Sequence, residues 1–196
     1  MPRLVIGITG ASGSSVAVRA LELAREESVE THLVISSWGL VNLKHETGMT
    51  EGDLKPLASY THSNRDLACE IASGSYRTDA TLVVPCSART LGTVANGTGD
   101  TLISRAADVA LKERRRLVLA LRESPLSPIH LRNALAVAEA GAFVVPMSPA
   151  FYTLPQSLDE LFTSMAARLL DHAGVETSAL PRWGEDLSLK RPPGSA

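Results

Sequence analysis

Continuous apolar runs alternate along the chain with stretches in which apolar residues are spaced as on a helix face. The runs are rich in β-branched residues, which is typical of strands that are buried on both sides. They lie at residues 4–9, 32–36, 81–84, 117–121 and 143–146. The pattern predicts a β-α-β-α order.

The segments between these runs carry apolar residues at intervals of three and four, as amphipathic helices do. The stripes are Val16, Ala20, Leu21 and Leu23; Leu102, Ala106, Val109 and Ala110; Leu131, Leu135 and Val137; and Leu161, Met165, Leu169 and Leu170. Strands that are apolar along their whole length need helices on both faces, so we predict a doubly wound, mainly parallel α/β fold of the Rossmann-like or flavodoxin-like kind. One domain is expected over residues 1–185, with a polar tail at 186–196, whereas residues 47–79 show no regular pattern.

Composition excludes several classes of protein. The 196 residues are 44% hydrophobic with a formal net charge of −2, which argues against nucleic acid as a partner. The apolar runs are far too short to span a bilayer, so a cytoplasmic protein without membrane contact is expected. The two cysteines lie outside any CxxC spacing and the five histidines are scattered, so we predict no metal site.

The first strand ends in the glycine-rich sequence "GITGASGSS". In doubly wound folds this turn commonly holds a phosphate at a helix N-terminus. Gly10 and Gly13 allow close approach of a ligand, and the hydroxyls of Thr9, Ser12 and Ser14 are candidate donors to its oxygens. A turn that only caps the helix is the alternative explanation.

The surrounding sequence favours a mononucleotide such as FMN over a dinucleotide. The second strand ends in Ser36 and Ser37, where a NAD site needs an acidic residue for the ribose. The glycine spacing is G-x-x-G-x-x-G, and no GKS or GKT sequence follows as a phosphate-binding P-loop requires.

Two further strand ends carry polar residues that meet at the same edge of a parallel sheet. Ser87 and Thr90 follow the third predicted strand, and Arg122 and Glu123 follow the fourth. Each pair alone is also compatible with an ordinary solvated strand exit. Their convergence at one edge predicts a ligand site there.

Several long stretches resemble the UbiX-like flavin prenyltransferases. They are "GITGASG", "THLVIS", "PCSARTLGTVANG", "RAADVALKERRRLVLALRESPLS", "GAFVVPMSPAFYTLPQS" and "LPRWGE". The resemblance implies a flavodoxin-type homododecamer that joins a dimethylallyl group, taken from dimethylallyl phosphate, to N5 and C6 of reduced FMN. It also implies that a UbiD-type decarboxylase receives the product, prenylated FMN.

The resemblance also assigns roles to individual residues. It implies FMN contacts from Gly10, Ala11, Ser12, Ser36, Ser87, Ala88, Arg89, Thr90 and Arg122. It implies contacts with the prenyl phosphate from Tyr152, Arg168, Arg105 and Lys112, and catalytic roles for Glu123, Lys112, Glu46 and Ser12. From the residues alone, Arg105 and Lys112 share a helix face, which is also compatible with plain solvation.

The chemistry of prenyl transfer bears on which phosphate donor the protein uses. Allylic diphosphates are commonly held by Mg²⁺ on aspartate-rich motifs, which this sequence lacks, so a monophosphate held by Arg, Lys and Tyr donors fits better. The alternatives to a prenyltransferase are an FMN-dependent decarboxylase of the phosphopantothenoylcysteine type and a non-catalytic flavin carrier.

Trp183 in the polar "PRWGE" stretch is expected to dock on a neighbouring subunit.

Overall fold

The computed structural model describes residues 1–179 and 182–186. Six strands form one sheet: β1 Arg3–Ile8, β2 Glu30–Ile35, β3 Tyr60–Ser63, β4 Ala80–Cys86, β5 Arg116–Leu121 and β6 Phe143–Pro146. The α-helices of this part of the chain are α1 Ser14–Glu26, α2 Ser37–Thr47, α3 Glu51–Leu54, α4 Ala88–Asn96, α5 Leu102–Lys112, α6 Pro128–Glu139 and α7 Leu158–His172. Short 3-10 turns lie at Lys55–Leu57, Glu70–Ala72 and Phe151–Thr153.

The sheet is parallel throughout, with strand order β3-β2-β1-β4-β5-β6. The first strand lies in the middle, because Leu4 of β1 is in register with Thr31 of β2 on one side and with Ala80 of β4 on the other. The winding direction therefore reverses between β1 and β4. In an open α/β sheet, the carboxyl ends of the strands at such a point form a crevice.

Hydrophobic clusters cover both faces of the sheet, and β1 shows why. Ile6 and Ile8 belong to the cluster that contains residues of α1 and α7, whereas Val5 belongs to the cluster that contains residues of α4 and α5. Gly7 lies so close to α5 that a β-carbon there would be 3.0 Å from Ile103 Cγ2. Both faces of the strand are therefore covered, which confirms the doubly wound α/β prediction.

All five predicted strands are present, with ends within two residues of those expected, and the four apolar stripes lie on α1, α5, α6 and α7. The sequence analysis missed β3, a short edge strand within residues 47–79. Of the expected polar tail, residues 187–196 lie outside the described part of the chain. No described helix has both the length and the apolar character needed to cross a bilayer.

Candidate functional site

A cleft of about 470 Å³ opens at the carboxyl ends of the central strands. Its volume lies within the usual range for small-molecule sites. Of the predicted site residues, it is lined by Gly10, Ser36, Ser87, Ala88, Arg89 and Glu123. Residues that follow β1, β2, β4 and β5 thus meet in one place, as the convergence of strand ends predicted.

The serines at this cleft begin helices. Ser36 Oγ accepts a hydrogen bond from the Gly39 amide at 3.0 Å, which caps α2. Ser87 Oγ accepts one from the Thr90 amide at 3.2 Å and lies 3.0 Å from Thr90 Oγ1, which caps α4. The remaining first-turn amides of the two helices have no acceptor within their own helix, so two positive helix ends lie at the cleft.

The glycine loop passes close to its neighbours, and both glycines are required. A β-carbon on Gly10 would lie within 2.4 Å of Trp38 Cβ, and one on Gly13 within 2.7 Å of Met147 Cε. Gly13 also has φ +117°, a conformation that disfavours residues with a side chain. The loop therefore packs against α2 on one side and against the segment after β6 on the other.

Thr9 is not available to a ligand, contrary to the expectation from the loop sequence. It is buried, its hydroxyl donates to the Pro85 carbonyl at 2.7 Å, and the Ser87 amide donates to that hydroxyl at 2.9 Å. Thr9 therefore fastens the end of β1 to the end of β4. The threonine thus holds together the two strands whose ends border the cleft.

The N-terminus of α1 already has an anionic partner from the chain itself. The Glu46 carboxylate, at the end of α2, accepts hydrogen bonds from the Gly13 amide at 2.9 Å and the Ser14 amide at 2.7 Å. Burial alone would raise the pKa of Glu46, but these amide donors outweigh it and hold the pKa below its ordinary value of 4.5. The amides that the glycine loop was expected to offer to phosphate are therefore occupied in this structure, and Ser12 remains exposed beside them.

Arginine side chains supply positive charge near the cleft. Arg89 lines it, and Arg122 directly precedes the lining residue Glu123 at the end of β5. The Arg122 amide donates to the Cys86 carbonyl at 3.0 Å, which fixes the direction of the chain there. Neither guanidinium forms an ion pair with a residue of the described ranges 1–179 and 182–186.

Cys86, which directly precedes the cleft residue Ser87, is unsuited to nucleophilic chemistry. It is fully buried, and burial raises the pKa of its thiol to about 12. The thiol therefore stays protonated at neutral pH and behaves as a small core residue.

Tyr152 lies in the 3-10 turn after β6, and Arg168 lies on α7. Arg168 lines a small cavity of about 60 Å³ with Met147, the residue that packs against Gly13. The Tyr152 ring meets the edge of Trp183, with 5.5 Å between ring centroids. Trp183 stays 57% exposed, so its predicted docking on a neighbouring subunit remains a prediction.

Arg105 and Lys112 do not line the cleft of their own chain. The Arg105 guanidinium donates to the Ala72 carbonyl at 3.0 Å and to Asp108 at 2.7 Å. Lys112 pairs with Glu113 at the last residue of α5, so ten residues of helix, roughly 15 Å, separate it from the first residue of α5. Their role in the prenyl site stays a prediction.

Sequence reasoning missed other residues that line the cleft. They are Ser37, Asn64, Thr93, Asp100, Thr101 and Ile103. Asn64 follows the unpredicted strand β3 and accepts hydrogen bonds from the first two amides of α5, at 2.9 and 3.1 Å. Trp38, an aromatic residue shortly after a strand-end serine and a candidate from the sequence for the wall of the prenyl pocket, also lines this cleft.

Comparison with known proteins places this geometry among flavin-binding proteins. The profile of a family described as flavoprotein matches residues 1–167. The flavin prenyltransferase UbiX of Deinococcus radiodurans is 51% identical over 185 residues, covering 94% of this chain and 95% of that protein.

Solved structures show the same relationship as the sequence comparisons. A crystal structure of AnUbiX (PadA1) with FMN and dimethylallyl pyrophosphate has a TM-score of 0.91 at 45% identity, and covers 93% of this chain and 97% of the other. A dodecameric FMN-dependent UbiX-like decarboxylase from Escherichia coli O157:H7 has a TM-score of 0.89 at 45% identity, covering 92% and 98%.

Proposed function

The chain belongs to the flavoprotein family and, within it, to the UbiX-like flavin prenyltransferases; from this premise we propose that it joins a dimethylallyl group to N5 and C6 of reduced FMN. The observation that carries the proposal is the cleft at the reversal of the sheet, formed by the ends of four strands in a chain that is 51% identical to a flavin prenyltransferase. The product is prenylated FMN.

The residues of the cleft fit a flavin mononucleotide. Its phosphate suits the free first-turn amides of α2 and α4, beside Arg89 and Arg122, because helix N-termini and guanidinium groups both favour phosphate. The α1 N-terminus is the poorer phosphate site, since the Glu46 carboxylate already holds its amides. Trp38 adds an aromatic surface for the flavin.

The prenyl phosphate is assigned to the side of the glycine loop that faces β6. Met147 connects the two regions, because it contacts Gly13 and lines the cavity at Arg168. In this proposal Arg168, which lines that cavity, and Tyr152, from the turn that follows β6, hold the leaving phosphate as it gains negative charge. The donor is dimethylallyl phosphate or the pyrophosphate that the AnUbiX structure contains, and a comparison of the two as substrates identifies which.

Glu123 is the acid–base residue of the proposal. Bound flavin supplies the nucleophilic nitrogen and the ring carbon of the second bond. Closure of the new ring requires proton transfer, and Glu123 is the half-buried carboxyl group that lines the cleft beside Arg122. A cleft that holds both reactants also supplies much of the rate by positioning them.

The subunit assembly and the protein that receives the product are also proposed from the family relationship. One solved relative is dodecameric, and we assign this chain to a homododecamer. We also propose that Arg105 and Lys112, which do not line the cleft of their own chain, complete the prenyl site of another copy. A UbiD-type decarboxylase is the proposed recipient of prenylated FMN.

The alternatives rest on weaker support. A phosphopantothenoylcysteine decarboxylase has a TM-score of 0.58 at 22% identity, which indicates a shared fold alone. A flavin carrier without catalysis would bind FMN but return it unchanged.

The decisive experiment is an anaerobic reaction of the full chain with reduced FMN and dimethylallyl phosphate, followed by mass spectrometry of the extracted flavin. A five-carbon adduct is expected. Unchanged flavin in a protein that binds FMN would reject the prenyltransferase in favour of the carrier.

Glu123→Gln tests the acid–base role in the same reaction. We expect turnover to fall by about 100-fold or more with FMN binding retained, which is the usual effect of losing a general acid or base. Glu27→Gln, at an exposed carboxylate that follows α1, is the matched control and should react as the parent chain does. Equal turnover in both variants would refute the role of Glu123.

A further inference from the structure

Three side chains that are distant in sequence meet at the β3 edge of the sheet. His32 Nδ1 lies 2.9 Å from His62 Nε2, and Glu70 Oε1 lies 3.9 Å from each of these nitrogens. His32 comes from β2, His62 from β3 and Glu70 from the 3-10 turn that follows. The three atoms form a compact triangle of two nitrogens and one carboxylate oxygen.

The size of this triangle suits a small divalent cation. Ligand bonds of about 2.0–2.1 Å in tetrahedral geometry place ligand atoms about 3.3 Å apart. The two nitrogens must therefore separate by a few tenths of an ångström, and the carboxylate must approach by a similar amount. The two rings are within 6° of coplanar and their nitrogens face each other, so both imidazoles must also turn to direct their lone pairs at one ion. The Glu70 carboxylate can approach by a change of rotamer, because its side chain is 45% exposed.

The other nitrogen of each imidazole already has a partner. His32 Nε2 lies 3.2 Å from Glu30 Oε1 and 3.1 Å from the Tyr76 hydroxyl, and Glu30 is itself paired with Arg3. Carboxylates and other acceptors on the outer nitrogen orient metal-binding histidines in many proteins. A carboxylate behind His32 is thus an outer contact that such a site requires.

Cys69 plays the corresponding part behind His62. Its sulfur lies 3.1 Å from His62 Nδ1, across the ring from the nitrogen that faces His32. It therefore belongs to the outer contacts.

The inner groups are of the types that bind zinc. His32 and His62 each contribute one ring nitrogen to the triangle, and Glu70 contributes a carboxylate oxygen. Neutral imidazole and carboxylate together are a donor set for zinc.

We propose that His32 Nδ1, His62 Nε2 and Glu70 Oε1 form a zinc site with a fourth position open to water. This reverses the prediction made from histidine spacing, because the three ligands are brought together by strand pairing and not by sequence proximity. Without a metal, the same groups can form a chain of hydrogen bonds from Cys69 through His62 and His32 to Glu30. When zinc binds, the proton between the two rings moves to His62 Nδ1, so that His62 Nε2 and His32 Nδ1 both become free to bind the ion while both rings stay neutral.

The site is independent of the proposed flavin chemistry, but it anchors a segment that reaches the cleft. The segment from β3 to the turn at Glu70–Ala72 contains Asn64, which lines the cleft and accepts hydrogen bonds from the start of α5. A cation shared by both ends of this segment holds it on the sheet edge. Zinc should therefore stabilise the protein by mass action.

Metal content of the full-length, untagged chain tests the proposal. After removal of metal with a chelator and dialysis against zinc chloride, we expect about one zinc per chain and a higher melting temperature. Cobalt chloride should give the intense visible absorption of a tetrahedral site. A chain that binds neither ion stoichiometrically would overturn the proposal.

Variants distinguish this site from other zinc-binding groups. His62→Gln and Glu70→Gln should each lose the bound zinc, and Glu30→Gln should weaken it by about 10–100-fold, as outer-contact changes do. His45→Gln, at an exposed histidine of α2, is the matched control and should bind zinc normally. Circular dichroism and FMN binding verify that each variant is folded. Zinc retained by folded His62→Gln and Glu70→Gln would refute the assignment.

Discussion

At the residue scale, the Glu46 carboxylate takes the place that a bound anion takes at many helix N-termini. It joins the end of α2 to the start of α1 through the amides of Gly13 and Ser14. Hydrogen bonds to a charged acceptor and the positive end of a helix both contribute to such a contact. Glu46→Gln should lower the free energy of unfolding by about 1–2 kcal/mol at pH 7.

The pH dependence of this contact follows from its lowered pKa. The carboxyl has a lower pKa in the folded chain than the ordinary 4.5, so its stabilisation is fully present above about pH 4.5 and is lost as the pH falls through the folded-state value. The difference between Glu46→Gln and the parent chain in urea unfolding should therefore shrink with acidification. Glu27→Gln is the control. A loss of unfolding free energy in Glu46→Gln that is the same at all pH values would contradict the prediction.

At the scale of elements, substitution by alanine should have opposite effects on the free energy of unfolding at two glycines in different helices. A β-carbon on Gly39 of α2 would lie 2.6 Å from the Ile8 carbonyl oxygen, a backbone atom that cannot move aside. Gly39→Ala should therefore destabilise the chain by about 1–3 kcal/mol.

Gly52 of α3 is the matched case, because its nearest contact for an added β-carbon is Thr50 Oγ1 at 3.4 Å. Gly52→Ala should be neutral or stabilising by up to about 1 kcal/mol, since alanine restricts the unfolded chain. Thermal unfolding of both variants checks the pair. Equal effects would show that the approach of α2 to β1 is looser than in this structure.

The elements that sequence reasoning found and missed differ in how much they bury. β1, β4 and β5 are central strands, and their nearly continuous burial leaves an apolar run in the sequence. β3 is a four-residue edge strand with every residue at least partly exposed, and α2 buries only Gly39 and Leu43, so neither leaves such a run. An element that buries only one or two residues, or none, leaves little periodic signal in the sequence.

The same distinction applies to the candidate sites. The residues of the cleft could be predicted because parallel strands bring their carboxyl ends to one edge, so Ser36, Ser87 and Glu123 converge by topology. The acceptor role of Glu46 could not, since it depends on how α2 packs against α1. The cluster of His32, His62 and Glu70 was invisible for the same reason, because it depends on the unpredicted pairing of β3 with β2.

At the scale of the whole molecule, apolar side chains on the outer face of α6 predict assembly. Leu131 and Leu135 lie one turn apart and are 53% and 58% exposed. Such a stripe is costly in water and is typical of an interface between subunits. Leu131→Asp combined with Leu135→Asp should convert the proposed dodecamer into smaller species.

Light scattering after size-exclusion chromatography measures this change in mass. Lys55→Glu, at an exposed residue near the β3 edge, is the control and should leave the mass unchanged. If assembly also completes the prenyl site, the α6 variant should lose prenyl transfer while it retains its fold. An unaltered mass in that variant would remove α6 from the interface.

The reversal of winding between β1 and β4 has an evolutionary consequence. The walls of the crevice come from the first residues after strands that are held by a core on both faces, so those residues can be exchanged without rebuilding the scaffold. The ladder between β1 and β4 joins the two halves of the sheet, and Thr9 adds hydrogen bonds to Pro85 and Ser87 at its end. Substitutions at a few strand exits can therefore change the ligand and the reaction of such a crevice while the scaffold beneath it stays the same.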